Sequence, residues 1–332
     1  MLDSIIMQQL FIAPIAIALI TLGAVFVWGG LPALFLACLL SVLEITLSFD
    51  NAVVNAKVLT RMSALWQKRF LTWGILFAVF GTRLVLPVLI VAAAAALSPF
   101  AAAGIALSNP KEYAHLLEGA GPAISAFGGA FLLLVSLKYF FDEAKKVHWI
   151  HLVERHLARW GRFEAIEIVL VLLTMLLLGH LAEGKTSEIL TAGIIGIVVF
   201  VIMQGAASAF RVEAGVAMSS SIVLFLYLNV LDSAFSLDGV VGAFAITKEL
   251  PIIVAGLGIG AYFVRTLTVY LVKKKTLETL PYLEHGAHWA IFGLALSMLT
   301  EIIVPVPEAI TAFIGLAFIT LAYISSLRER RQ

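Results

Sequence analysis

The sequence predicts an all-α fold: a multi-pass transmembrane helical bundle of about ten spans, built as two inverted-topology repeats whose broken helices carry acidic motifs. Three observations point there. First, 61% of the 332 residues are hydrophobic and 13% are charged, with a mean hydropathy of +1.04, whereas a soluble domain is about a quarter charged. Second, the apolar runs are continuous and long enough for helices, unlike the short alternating segments of a transmembrane β-barrel. Third, two acidic stretches interrupt such runs half a chain apart: Glu44 to Asn51 (EITLSFDN) and Asp232 to Gly239 (DSAFSLDG). The net charge of +1 implies neither nucleic acid nor an acidic partner. Cys38 is the only cysteine, which rules out an intrachain disulfide and a cysteine-based metal cluster.

Taken in order, spans are expected near 5–27, 31–59, 70–97, 123–141, 164–181, 189–209, 215–247, 251–272, 287–304 and 308–326. The N-terminus lacks the basic region of a signal peptide, so the first run is expected to stay in the membrane. The second and seventh runs are too long for one straight crossing. They carry the acidic motifs, which suggests helices broken where they line a cavity. Residues 98–122, rich in Pro and Gly, read as an outer loop or short re-entrant piece. Residues 142–163, with His148, His151, His156 and several Arg, read as an interfacial cationic helix anchored by Trp149 and Trp160 rather than a metal site.

Orientation follows from the short loops. With the N-terminus inside, 15 Lys and Arg fall in inner loops and 3 (Lys111, Lys185, Lys248) in outer ones. The expectation is a multi-pass protein of the cell (inner) membrane with both termini cytoplasmic. It divides into a first transmembrane repeat (1–141), a cytoplasmic basic loop with a linking helix (142–188), and a second, inverted repeat with a C-terminal helix (189–332).

The repeat rests on more than the acids. Gly74 to Arg83 (GILFAVFGTR) matches Gly256 to Arg265 (GLGIGAYFVR), each placing an Arg nine residues after a Gly in mid-span. With the expected orientation the two acidic helices run in opposite directions, the inverted arrangement in which substrate binds near the midplane.

Ionised groups at bilayer depth cost roughly 2.5–3.5 kcal/mol each and usually mark an ion or substrate path. The candidate site is therefore Glu44, Ser48, Asp50, Asn51, Asp232, Ser236 and Asp238, with Arg83 and Arg265 balancing charge. Glu44 and Asp50 lie about 240° apart around an ideal helix and roughly 9 Å along it. Either the helix unwinds near Ser48–Asn51, or the two acids serve different levels of a path. Glu44, Ser48, Asn51 and Asn55 form one oxygen-bearing stripe, and Asn229, Asp232 and Ser236 form its counterpart. If all four acids ionise, the two arginines leave a residual −2, which suits one divalent cation or two protons. Oxygen donors without thiolate or imidazole favour Mn²⁺, Mg²⁺ or Ca²⁺. No resident cofactor is expected; the cation is cargo, protons are a possible counter-ion, and the lipid bilayer is the remaining partner. Gln204, Ser208, Ser219 to Ser221, Glu301 and Glu308 are secondary candidates, and His180 and His288 read as interfacial.

The motifs EITLSFDNAVV (44–54) and DSAFSLDGVVGAF (232–244), with the tract YLEHGAHWAI (282–291), resemble the TerC-like (tellurite-resistance C) integral membrane family of the LysE-like transporter superfamily, in a bacterial branch with an extended C-terminus. The resemblance implies an inverted-repeat membrane protein exporting Mn²⁺, with Glu44, Asp50, Asn51, Asp232 and Asp238 as ion ligands, and not an enzyme. Ser48 stands where the family's first motif has Gly, and Gly239 and Val241 where its second has Ser and Pro, which leaves the metal open. An intramembrane aspartyl protease built on Asp50 and Asp238, or a scaffold docking stress-response partners through basic loops, are the competing readings. The first lacks a GxGD motif, and nearby arginines oppose the shared proton of an aspartyl dyad. The second leaves the buried acids unexplained.

Overall fold

The computed structural model describes residues 2–145, 147–182, 184–212 and 217–330, leaving aside the side chains of 2–9, 206–212, 217–220, Asp238, Ala245, Glu308 and Ala309. Helix α1 (Leu2–Leu47) holds the first expected span and the larger part of the second, joined at Gly30, whose φ of 67° a residue with a side chain rarely adopts. A single non-helical residue, Ser48, separates it from α2 (Phe49–Leu59). After a short turn, α3 (Ala64–Leu76) runs into a π-helical segment (Phe77–Val85) and then α4 (Leu86–Ala94). Residues 98–122, expected as an outer loop or short re-entrant piece, form two short helices, α5 (Pro99–Ser108) and α6 (Pro110–Gly119). Its Ser-Pro and Asn-Pro pairs are not turns. Ser98 and Asn109 cap the amides of Ala101 and Glu112, and each proline occupies the first helical position, where no donor is needed.

The chain continues through α7 (Gly121–Phe140), α8 (His151–Ala158) with a 3₁₀ turn (Arg159–Arg162), α9 (Ile166–Leu181), α10 (Thr186–Val212), α11 (Ala217–Ile246), α12 (Leu250–Lys273), the single turn α13 (Thr276–Thr279), α14 (Leu283–Glu301) and α15 (Glu308–Glu329), with no strand among the described residues. Among the described residues seven helices are long and apolar enough to cross a membrane, or eight if α8 and α9, bent by 101°, count as one. The difference from ten is accounted for. Leu10–Leu47 counts once although kinked, and α14 is made too polar by Glu284, His285 and His288. The protein is a multi-pass α-helical membrane bundle. One detail departs from expectation: the second acidic helix, α11, runs unbroken from Ala217 to Ile246.

Two compact units emerge, each drawn from both halves of the chain: Met1–Gly121 with Leu224–Lys274, and Pro122–Val223 with Lys275–Gln332. The units therefore cut across the repeat boundaries at 141 and 188, because each repeat contributes helices to both.

In the first unit α1 lies against α12, and glycines let the backbones meet. A Cβ on Gly256 would sit 2.5 Å from Leu40 Cβ, and one on Gly260 would sit 2.5 Å from Glu44 Cβ and 3.2 Å from the Ser41 carbonyl. Such small-residue contacts replace the missing hydrophobic drive between helices in lipid. Gly260→Ala is expected to cost about 1–3 kcal/mol through overpacking, read as an earlier thermal unfolding midpoint in detergent. An unchanged midpoint would mean the helices can part there without loss.

In the second unit the carboxylate of Glu154 is fully buried and collects donors from two elements. Trp289 Nε1–H donates at 3.0 Å, the Trp149 and Ile150 amides at 3.2 and 3.5 Å, and Lys145 Nζ at 3.3 Å, while His285 Nδ1 lies 2.7 Å away. His288, expected near the interface, is buried and stacked on Tyr139 at 3.6 Å, and the half-buried Trp149 packs its ring against Phe318. Burial alone would raise the pKa of Glu154. The His285 contact, the Lys145 charge and the Trp289 donor outweigh it and hold the group at about 2, below its ordinary 4.5. A depressed carboxylate stabilises the fold fully above its ordinary pKa, and that contribution fades as pH falls from about 4.5 through about 2. Subtracting the melting profile of Glu154→Gln from that of the wild type should therefore leave a difference that shrinks across this window. A difference independent of pH would refute the ionised hub.

Candidate functional site: a buried carboxylate–guanidinium core

The site lies within the first unit, on α1, α2, α3 with its π segment, α11 and α12. The acids divide into two classes. The first acid of each motif is locked to the arginine of its own repeat. Arg83 Nη2 donates to Glu44 Oε1, and Arg265 Nη2 donates to Asp232 Oδ2 at 3.0 Å and approaches Asn229 Oδ1 at 3.4 Å. The sequence separations are 39 and 33, and the difference of six is that between Asp50 to Gly74 (24 residues) and Asp238 to Gly256 (18 residues). Equivalent residues thus make equivalent bonds, which is what an internal repeat requires.

Both pairs are nearly out of reach of water, with side chains between 1% and 6% exposed. Arg265 lies over the ring of Phe70 at 4.4 Å, and its Nη1 occupies the space a side chain on Gly74 would need, 2.5 Å from that Cβ position. Ser48 Oγ donates to Glu44 Oε1 at 3.0 Å, so the residue that interrupts the first acidic helix also helps hold the first acid. Arg83 is held from its own helix as well: Nη1 donates to the Ala78 carbonyl at 2.7 Å.

The second acid is different. Asp50 is buried at the start of α2, and its carboxylate accepts a hydrogen bond from the Asn51 amide at 2.9 Å. No Lys, Arg or His pairs with it among the described residues. The side chain of its counterpart Asp238 lies outside the described residues, as do those of Ser208, Ser219, Ser220 and Glu308. The break at Ser48 thus separates two levels, a locked carboxylate before it and an unlocked one after it.

In this unit several buried polar atoms have no partner among the described residues: Asn51 Oδ1, both amide atoms of Asn55, Ser236 Oγ, Trp66 Nε1, Arg83 Nε, and Arg265 Nε and Nη1. Buried polar groups are nearly always hydrogen-bonded, so this concentration within one unit needs an explanation such as water or a bound ion. Among the described residues no three His, Cys, Asp or Glu side chains converge as a metal cluster. The donors available to a cation are therefore Asp50 with amide and hydroxyl oxygens. Of the secondary candidates, Ser221 is buried, Gln204 is half-buried, and Glu301 and His180 are exposed. Trp66 and the Glu154 hub were not singled out from sequence. The His285 to Trp289 spacing, one helical turn, was the available signal for the hub.

Fold and site together define a multi-pass α-helical membrane protein with a charged, internally repeated core. A family model described as a protein of unknown function (DUF475) matches residues 49–332, and the chain belongs to that family. Comparisons with curated proteins and with solved structures give no match.

Proposed function

We propose that the protein is a secondary transporter of a hard divalent cation, exchanging the ion for protons at a carboxylate site within the membrane. The observation that carries the reading is Asp50: a buried carboxylate without a cationic partner among the described residues, on the same short helix as oxygens of Asn51 and Asn55 that have no hydrogen-bond partner among those residues. A carboxylate left so is costly unless it is protonated or holds an ion, and switching between those conditions is the chemistry of exchange. Glu44–Arg83 and Asp232–Arg265 are fixed framework in this reading, and Asp50, Asn51, Ser236 and Asp238 supply the mobile ligands. Oxygen donors of this kind suit Mn²⁺, Mg²⁺ or Ca²⁺. The likeness of the two motifs to TerC-like proteins favours Mn²⁺ and export, from a site reached with both termini on the cytoplasmic side.

The test is flux of Mn²⁺, Ca²⁺ and Mg²⁺ in proteoliposomes, with and without a pH gradient. Uptake of one of the three that the gradient accelerates is the expected result. A folded wild type that neither moves nor binds any of them would overturn the transporter reading.

A further inference from the structure

The 3₁₀ turn after α8 leads into α9 through Ala165, a residue at φ 59°, and the two helical segments on either side are bent by 101°. Helix α9 reads IEIVLVLLTMLLLGHL, with lipid-compatible side chains around much of its surface. The two segments reach a membrane-crossing length only together, and the bend of 101° keeps α8 from continuing along the axis of α9.

The side chains displayed there fit that placement. Leu152, Trp160 and Phe163 are 87%, 43% and 66% exposed, an arrangement that water alone does not favour. Arg155, Arg159 and Arg162 are exposed between them. Arg162 pairs with the exposed Glu143 at 3.2 Å, which leaves Arg155 and Arg159 as the cations not in an ion pair within the described residues. The one acid of α8 is Glu154, and it is withdrawn from the surface into the hub with His285 and Trp289. Burying that carboxylate does two things at once: it fixes α8 on α14, and it leaves the outer face of α8 apolar and cationic.

We infer that α8 and its 3₁₀ turn form an in-plane anchor that binds anionic phospholipid headgroups at the surface of the membrane crossed by α9. Leu152, Trp160 and Phe163 enter the boundary between headgroups and acyl chains, and Arg155 and Arg159 meet the lipid phosphates. The anchor is independent of the transport reading, since none of its residues belongs to the Asp50 site.

The experiment uses the full chain with Cys38→Ser and Leu152→Cys, carrying a fluorescent label at the new thiol, in nanodiscs of phosphatidylcholine alone or mixed equally with phosphatidylglycerol. The label should be quenched by lipid bearing a shallow nitroxide and shielded from aqueous iodide, and the lipid quenching should rise when phosphatidylglycerol is present. Adding Arg155→Gln and Arg159→Gln should remove that rise, with apparent affinity for the anionic lipid falling roughly fivefold per arginine. Iodide quenching without lipid quenching places α8 in water or against a protein partner and overturns the inference. Lipid quenching indifferent to phosphatidylglycerol overturns it too. The lipid-composition comparison needs no arginine variant, so it decides the matter even if those variants fold poorly.

Discussion

Replacing Asp50 by asparagine is expected to abolish cation flux, by roughly a hundredfold or more, at or above the loss seen when groups that merely orient metal ligands are removed. The helical bundle should survive. Asp50 makes no ion pair with a described cation, and asparagine keeps an oxygen for the Asn51 amide. What the substitution removes is the ability to be negative with the ion bound and neutral without it. Flux and its response to a pH gradient should therefore disappear together, while elution from a sizing column and melting stay near those of the wild type. Full flux in Asp50→Asn would sink the proposal that this carboxylate carries the ion. Flux retained without proton dependence would leave Asp50 a coupling group rather than a required ligand.

The second large effect concerns stability. Arg265→Met should destabilise the protein by about 3–5 kcal/mol, because it strands the buried Asp232 carboxylate. Adding Asp232→Asn should recover most of the loss, since the double variant leaves no stranded charge at this pair and methionine fits the slot between Gly74 and Phe70. Thermal unfolding of the single and double variants in one detergent gives the comparison. A double variant no more stable than Arg265→Met would show that the arginine contributes through packing and its contact with Phe70 rather than through Asp232. The same pair of substitutions at Glu44 and Arg83 should behave alike if the repeat is energetic as well as geometric.

Much of this site was legible in the sequence because charge inside an apolar run has few innocent explanations. Glu44, Asp50, Asp232, Arg83 and Arg265 stood out by residue type and position, and all five are buried. Their pairing was not legible: spacing along the chain does not say which acid meets which arginine. A simple charge sum therefore spread two positive charges over four acids, whereas the arginines are spent on Glu44 and Asp232. Ser48 was read as part of an oxygen stripe, which its bond to Glu44 supports, and the break it makes in the helix agrees with one of two open possibilities. For α11 the same logic failed, because a helix of 30 residues can hold Asp232 without unwinding when Arg265 on a neighbouring helix supplies the countercharge. Glu154 was invisible for a different reason. A carboxylate in a basic loop looks like a solvated charge, and only the fold reveals that His285 and Trp289, more than a hundred residues away, enclose it.

The winding of the arginine helices carries one more implication. Gly74 and Arg83 are separated by nine residues, as are Gly256 and Arg265, yet seven of the residues up to Arg83 are wound as π-helix while α12 remains α-helical throughout. A wider turn spreads the same residues through a smaller angle. The two guanidinium groups are therefore delivered at different azimuths by stretches of equal length. The two stretches share the spacing from Gly to Arg but not the screw, so the pseudo-two-fold relation between the repeats is broken at the arginines.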